Sequence, residues 1–194
     1  RGLGDVYKRQ VSDVPLCTFL SGGLDSSIIT AYASDYCNKN GLPPLNTFSV
    51  DYVDNDKNFV KSDFQPNSDN YYINLMVEKY KTNHTNIVLD TPDLAKYLED
   101  AMIARDTPGM ADVDSSLLLF CKNVKPYATV SLSGECADEI FGGYPWFFRE
   151  DALNSGTFPW SIALSERQHL LNTNIASKIN LKDCLLYTSP SPRD

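Results

Sequence analysis

The sequence predicts an α/β protein built on a mainly parallel sheet with helices on both faces. Three observations predict it. β-Favouring runs alternate with helical ones in the order β-α-β-α-β-α-α-β, the pattern of strands joined by crossover helices. The first strand ends in a Gly/Ser loop that opens directly into a helix, Ser21-Gly22-Gly23-Leu24-Asp25-Ser26-Ser27. The fourth ends in a second Gly-containing, acidic loop, Ser133 to Tyr144. Parallel sheets bind ligands beyond the carboxyl ends of their strands, so two such loops point to one site.

Each element has its own signal. Val11 to Leu20 leads into the first strand, whose apolar run is Pro15-Leu16-Cys17-Thr18-Phe19-Leu20. The helix over Ser26–Tyr36 carries Ile28, Ile29, Tyr32, Ala33 and Tyr36 near a 3.6-residue period. Gly41, Pro43 and Pro44 stop it. Leu45–Val53 is rich in β-formers and reads as the second strand. Asp54–Asn67 is polar and reads as a surface loop. Ser68–Tyr80 is a helix with Tyr72, Leu75, Met76 and Val77 near one face, and Asn86–Asp90 is a third, short strand. Thr91-Pro92 starts a helix, with Thr as cap and Pro at the first helical position. Leu94, Tyr97, Leu98, Ala101 and Met102 form its stripe, and Thr107-Pro108-Gly109 ends it. A leucine-rich helix, Asp114–Lys125, precedes the fourth strand at Ala128–Leu132.

Composition narrows the function classes. The hydrophobic fraction of 42% can fill a core, and no apolar run is long enough to span a membrane. A net charge of −8 argues against a nucleic-acid surface, which would be basic. The five cysteines lack regular spacing and read as reduced thiols of a cytoplasmic protein rather than a disulfide framework or zinc site. Cys17, Cys37, Cys121 and Cys136 are expected to be buried. His84 and His169 lack metal-ligand spacing and are expected to be structural. Tyr144-Pro145-Trp146-Phe147-Phe148, with Trp160, reads as a packing or docking cluster.

The two ends read as foreign. Cys184 to Asp194 can be encoded by a string whose reverse complement, in a shifted frame, translates as Arg1 to Arg9. Ends related by strand complementarity resemble a translated sequencing adapter. The expected division is therefore 1–10 adapter-like, 11–183 native and 184–194 adapter-like, the native part being internal to a longer protein.

The first loop has the mechanics of an anion site. Backbone N–H groups and hydroxyls converge at a helix N-terminus, where the dipole favours negative charge. Asp25 inside it would be repelled by phosphates unless it held a cation, so the loop suggests a Mg²⁺-nucleotide. It is neither the Walker A pattern nor the dinucleotide fingerprint. It resembles the loop of the PP-loop ATP pyrophosphatases, which split ATP into AMP and pyrophosphate. In the second loop Glu135, Asp138 and Glu139 crowd three carboxylates into five residues, which calls for cations or donors. Glu135 and Asp138 would share a face of any helix starting there.

Taken together, Ser21–Ser27 and Ser133-Gly-Glu-Cys-Ala-Asp-Glu-Ile-Phe-Gly-Gly-Tyr144 closely resemble the synthetase domain of the glutamine-hydrolysing asparagine synthetases. The resemblance implies a Rossmann-like sheet of the adenine nucleotide alpha hydrolase type. It implies ATP and Mg²⁺ as cofactors, and aspartate, ATP and ammonia from glutamine as the small-molecule partners. It also implies roles by position. Ser21, Gly22, Gly23, Asp25, Ser26 and Ser27 match the pyrophosphate loop, with Asp25 contacting Mg²⁺. Leu20 and Val50 match positions lining the adenosine pocket. Ser133 and Gly134 match a second nucleotide contact, Glu135 the acid used in forming the acyl-adenylate, and Asp138 a carboxylate near pyrophosphate and metal.

The same resemblance implies a glutaminase domain before Val11, a basic residue beyond Asp183, and a chain that alone catalyses poorly; it leaves a homodimer open. After Arg105 the sequence leaves the common Thr-Thr-Ile-Arg-like pattern for Thr107-Pro-Gly-Met-Ala-Asp-Val-Asp114, which keeps other acceptors open. The alternatives are an adenylating enzyme of the β-lactam synthetase or peptide cyclase type, and a non-catalytic ATP-binding paralogue.

Overall fold

The computed structural model describes residues 14–60, 68–107, 109–156, 162 and 164–181. The expectations for 1–10 and 184–194, for Pro108, and for Trp160 lie outside them. The chain divides into two compact units, with the boundary in sequence after Glu135. In the first, β1 (Leu16–Phe19), β2 (Asn46–Tyr52), β3 (Asn83–Leu89) and β4 (Val130–Leu132) form one sheet of order β3-β2-β1-β4. Every pairing is parallel. The chain steps from β1 outward to β3, then returns across β1 to add β4 on its other side. That reversal is the switch point at which such sheets bind ligands.

The two faces of the sheet differ in chemistry. One is apolar: Cys17, Phe48, Ile87 and Leu89 pack with Leu119, Phe120 and Val124 of helix α6 (Ala111–Val124), and Phe19 meets Phe120 edge-on at 4.8 Å. α4 (Thr91–Lys96) and α5 (Leu98–Arg105) adjoin α6. The other face is rich in hydroxyls. Thr18 and Thr47 are fully buried there, as is Thr30 of helix α1 (Leu24–Lys39). The Thr18 and Thr30 hydroxyls bond at 2.9 Å. Thr30→Val should cost about 1–2 kcal/mol in urea denaturation, because it strands the Thr18 hydroxyl; adding Thr18→Val should recover part of the loss.

The predicted α1 period is present, but it faces outward. Ser26, Thr30 and Ser34 are the buried residues, whereas Ile28, Tyr32 and Tyr36 are exposed. Small residues let the helix lie close to the sheet, and the larger side chains are left on the outside. Other boundaries also moved. The Asp54–Asn67 loop contains a one-turn helix, α2 (Asn55–Asn58), before residues 61–67, which are not described. Helix α3 covers Asn70–Tyr80. β3 begins three residues earlier than expected because Asn83, His84 and Thr85 pair with Asn46, Thr47 and Phe48. The Thr91 helix breaks at Tyr97 into α4 and α5. No helix among the described residues is long and apolar enough to cross a membrane.

The second unit is a run of short helices: α7 (Ala137–Phe141), a 3₁₀ turn at Pro145–Phe147, α8 (Glu150–Leu153), α9 (Leu164–Gln168) and α10 (Thr173–Ala176). Tyr144 stacks on Trp146 at 4.2 Å, as a local packing cluster would. Burial was expected of four thiols. Cys17 is buried and Cys37 half-buried, but Cys121 and Cys136 are exposed. Cys121 lies on the outer side of α6, and Cys136 precedes α7 in a left-handed turn at φ 69°.

Candidate active site

The loop after β1 is held by one hydroxyl. Buried Ser26 donates from Oγ to the Gly23 carbonyl (3.1 Å) and accepts from the Ser21 amide (3.2 Å). With its proton so used, it accepts from the Ser21 hydroxyl at 3.0 Å. These bonds fold Ser21–Ser26 into a tight cradle at the start of α1. Gly23 caps the helix in extended conformation and Asp25 sits half-buried in its first turn. The first amides of a helix have no partner within it, so they remain as donors beside these hydroxyls. Gly22 has φ +82°, and a Cβ there would lie 2.7 Å from the Asp69 carbonyl oxygen.

The end of β4 reaches this loop. A Cβ on Gly134 would stand 3.0 Å from the Asp25 Cβ and 3.1 Å from the Ser26 nitrogen. Only glycine lets the two backbones approach so closely. The first motif and the opening residues of the second, Ser133–Glu135, are thus brought together through Gly134, with half-buried Ser133 before it and exposed Glu135 after it. Beside them a cavity of about 460 Å³ lies over the ends of β1 and β2. Leu20, Ser21, Val50 and Glu135 line it, with an apolar wall from Phe19, Phe48, Phe120 and Ile73. Gly22 and Ser27 border a separate shallow groove with Tyr72, Leu75 and Met76.

Asp138 belongs to the second unit. Its carbonyl accepts from the amides of Gly142 (2.9 Å) and Gly143 (3.1 Å). Because α7 begins at Ala137, Glu135 lies outside it, and the shared helical face expected for Glu135 and Asp138 does not form. Tyr144 donates to Glu139 Oε1 at 2.7 Å, and that bond, with the neighbouring negative charge, pushes its phenol up to about 12.

Sequence reading missed two features of the first unit. Asp51, at the end of β2, lines the cavity and accepts from the Tyr52 amide and from Asn55 and Asn70. A strand residue between Val50 and Tyr52 gave no signal of this, since two of its donors come from helices. The second is a hydroxyl chain through His84. Ser49 donates to Asn86 Oδ1 (2.9 Å), so His84 Nε2 donates to Ser49 (3.1 Å). In the neutral ring Nδ1 then accepts from Thr47 at 2.9 Å.

Burial lowers the His84 pKa below its ordinary value. A proton then binds the unfolded chain more readily than the folded one, so stability falls as pH drops below about 6.5. Thermal melts from pH 7.5 to 5 should show this loss, and His84→Gln should flatten it over the upper part of that range.

Comparison with known proteins extends the site to a family. The model of the asparagine synthase family matches residues 4–189. The chain is 54% identical over 178 residues to Bacillus subtilis (strain 168) asparagine synthetase [glutamine-hydrolyzing] 3, covering 92% of this chain and 29% of that protein. It is 34% identical to asparagine synthetase [glutamine-hydrolyzing] 1 of the same bacterium, over 69% of this chain and 19% of the relative. With asparagine synthetase [glutamine-hydrolyzing] 1 of Arabidopsis thaliana it shares 28% identity, over 74% of this chain and 24% of the relative. The chain thus spans less than a third of the length of these curated relatives. By a family match that covers nearly all of its residues, on the parallel sheet and paired strand-end loops described above, the chain belongs to the asparagine synthase family.

Proposed function

We propose that this chain is the ATP-using part of a glutamine-dependent asparagine synthetase. In this reading the side-chain carboxylate of aspartate attacks the α-phosphorus of ATP, giving β-aspartyl-AMP and pyrophosphate. Ammonia, released from glutamine in a separate glutaminase domain of the longer protein, then displaces AMP to give asparagine. Adenylation is needed because a carboxylate has no good leaving group of its own.

The observation that carries the reading is the contact of Gly134 with the Asp25–Ser26 backbone. It supports the reading because Ser133–Glu135, the start of the second motif, lies against the first loop beside the cavity that Ser21 and Glu135 line. The cradle amides and the hydroxyls of Ser21 and Ser27 receive the pyrophosphate, where fixed donors stabilise the departing charge. Leu20 and Val50 flank the adenosine, and Ser133 and Gly134 make the second nucleotide contact. Glu135, which lines the cavity, is the acid that acts in forming the acyl-adenylate. Asp25, a half-buried carboxylate among hydroxyls, offers the hard oxygen donor that Mg²⁺ takes together with substrate phosphates. Bound Mg²⁺ would neutralise charge on the leaving pyrophosphate. A cytoplasmic location and a homodimer belong to the same proposal.

The test is product analysis with the full-length polypeptide, aspartate, glutamine and Mg-ATP. AMP, pyrophosphate and asparagine are expected in equal amounts. ADP and phosphate in their place would contradict it.

A further inference from the structure

The end of β2 carries a carboxylate that the proposed chemistry leaves unused. Asp51 lines the same cavity as Leu20 and Ser21. Its Oδ1 accepts from the Tyr52 amide (2.8 Å) and Asn55 Nδ2 (2.7 Å), and its Oδ2 accepts from Asn70 Nδ2 (3.0 Å). A carboxylate has about four acceptor positions, so these donors leave Oδ2 with capacity for one more. The three donors come from β2, α2 and the start of α3, and they fix the group in one orientation. All three are neutral, and the ion pairs among the described residues lie elsewhere. Burial pushes the Asp51 pKa up, but the hydrogen bonds from Asn70, Tyr52 and Asn55 outweigh it and hold the carboxyl below its ordinary range.

The cavity therefore has two unlike ends. Amides and hydroxyls at the end of β1 favour anions. At the end of the neighbouring strand, an ionised and aimed carboxylate repels phosphate and accepts only from N–H or O–H donors. A nucleotide with its phosphates in the first loop turns its nucleoside toward β2. We propose that Asp51 is a specificity-determining residue that accepts a hydrogen bond from the nucleoside, either the exocyclic amine of adenine or a ribose hydroxyl. This rests on the ATP reading above.

The test measures nucleotide dissociation constants with the full-length protein. The ligands are ATP, inosine triphosphate (no exocyclic amine), 2′-deoxy-ATP and 3′-deoxy-ATP. Wild type should bind ATP about tenfold or more tighter than at least one analogue, and the disfavoured analogue identifies the donor. In Asp51→Ala and Asp51→Asn that ratio should fall to about twofold or less. Asn70→Ser keeps the charge but loosens it, and it should shrink the same ratio should the Asp51 variants fail to fold. Equal binding of all four ligands by wild type, or a ratio unchanged in folded variants, would overturn the inference. ADP formation with the ratios as expected would overturn the proposed reaction alone; AMP formation with ratios that ignore Asp51 would overturn this inference alone.

Discussion

Asp25→Asn is expected to lower the rate of AMP and pyrophosphate formation by about 100- to 1,000-fold in the full-length protein, equivalent to roughly 3–4 kcal/mol of transition-state stabilisation. Asparagine has the shape of aspartate and keeps the first turn of α1, so the fold should survive. Its lost interaction with the helix dipole is worth about 0.3–1 kcal/mol. What disappears is the negative charge among the cradle hydroxyls, and with it the proposed hold on the cation beside the phosphates. Glutamine hydrolysis should continue, because that chemistry is proposed for another domain. AMP release and glutamate release measured on the same sample would separate the two. Full adenylation activity in the variant would remove Asp25 from the metal site.

Gly22→Ala is expected to destabilise the protein by about 3 kcal/mol and to weaken ATP use, for two additive reasons. The backbone has φ +82°, where an L side chain is strained. The added Cβ would also meet the Asp69 carbonyl oxygen at 2.7 Å and Ile73 Cγ1 at 3.3 Å. That carbonyl accepts the Ile73 amide at 3.0 Å at the start of α3, so it cannot move without disturbing the helix. Asp69, Asn70 and Ile73 all line the cavity, so the displacement reaches the site. Gly23→Ala is the control. Its φ is −70°, and the nearest atom to an added Cβ is the Ser21 hydroxyl at 3.5 Å. It should cost less than about 1 kcal/mol. Thermal melts and ATP titrations of both variants check the contrast; equal behaviour would mean that the loop does not depend on Gly22.

The parts of this fold readable from sequence were those written in local patterns. The strand runs Leu16–Phe19 and Asn46–Tyr52 are dense in β-formers between glycines and prolines, and their ends fell within a residue or two of expectation. The start of β3 was not readable, because Asn83 and His84 are strand residues only by pairing with β2. The outward stripe of α1 was misleading for a related reason. Periodicity shows that a helix has two faces; which one is buried depends on how close the sheet lies. The loop motifs were visible as chemistry, but the approach of Gly134 to Asp25 links residues more than a hundred positions apart. Asp51 was invisible because its donors lie one, four and nineteen residues away and converge only after folding.

In the proposed reaction an aspartate carboxylate attacks the α-phosphorus of ATP at the end of β1. The deciding experiment gives full-length protein glutamine, Mg-ATP and aspartate labelled with ¹⁸O in its side-chain carboxylate. The attacking oxygen stays on phosphorus when ammonia displaces AMP. One ¹⁸O atom per molecule of AMP is the predicted result by mass spectrometry of the nucleotide products. Unlabelled AMP, or label appearing in inorganic phosphate with ADP as the nucleotide product, would rule out attack at the α-phosphorus by the aspartate carboxylate.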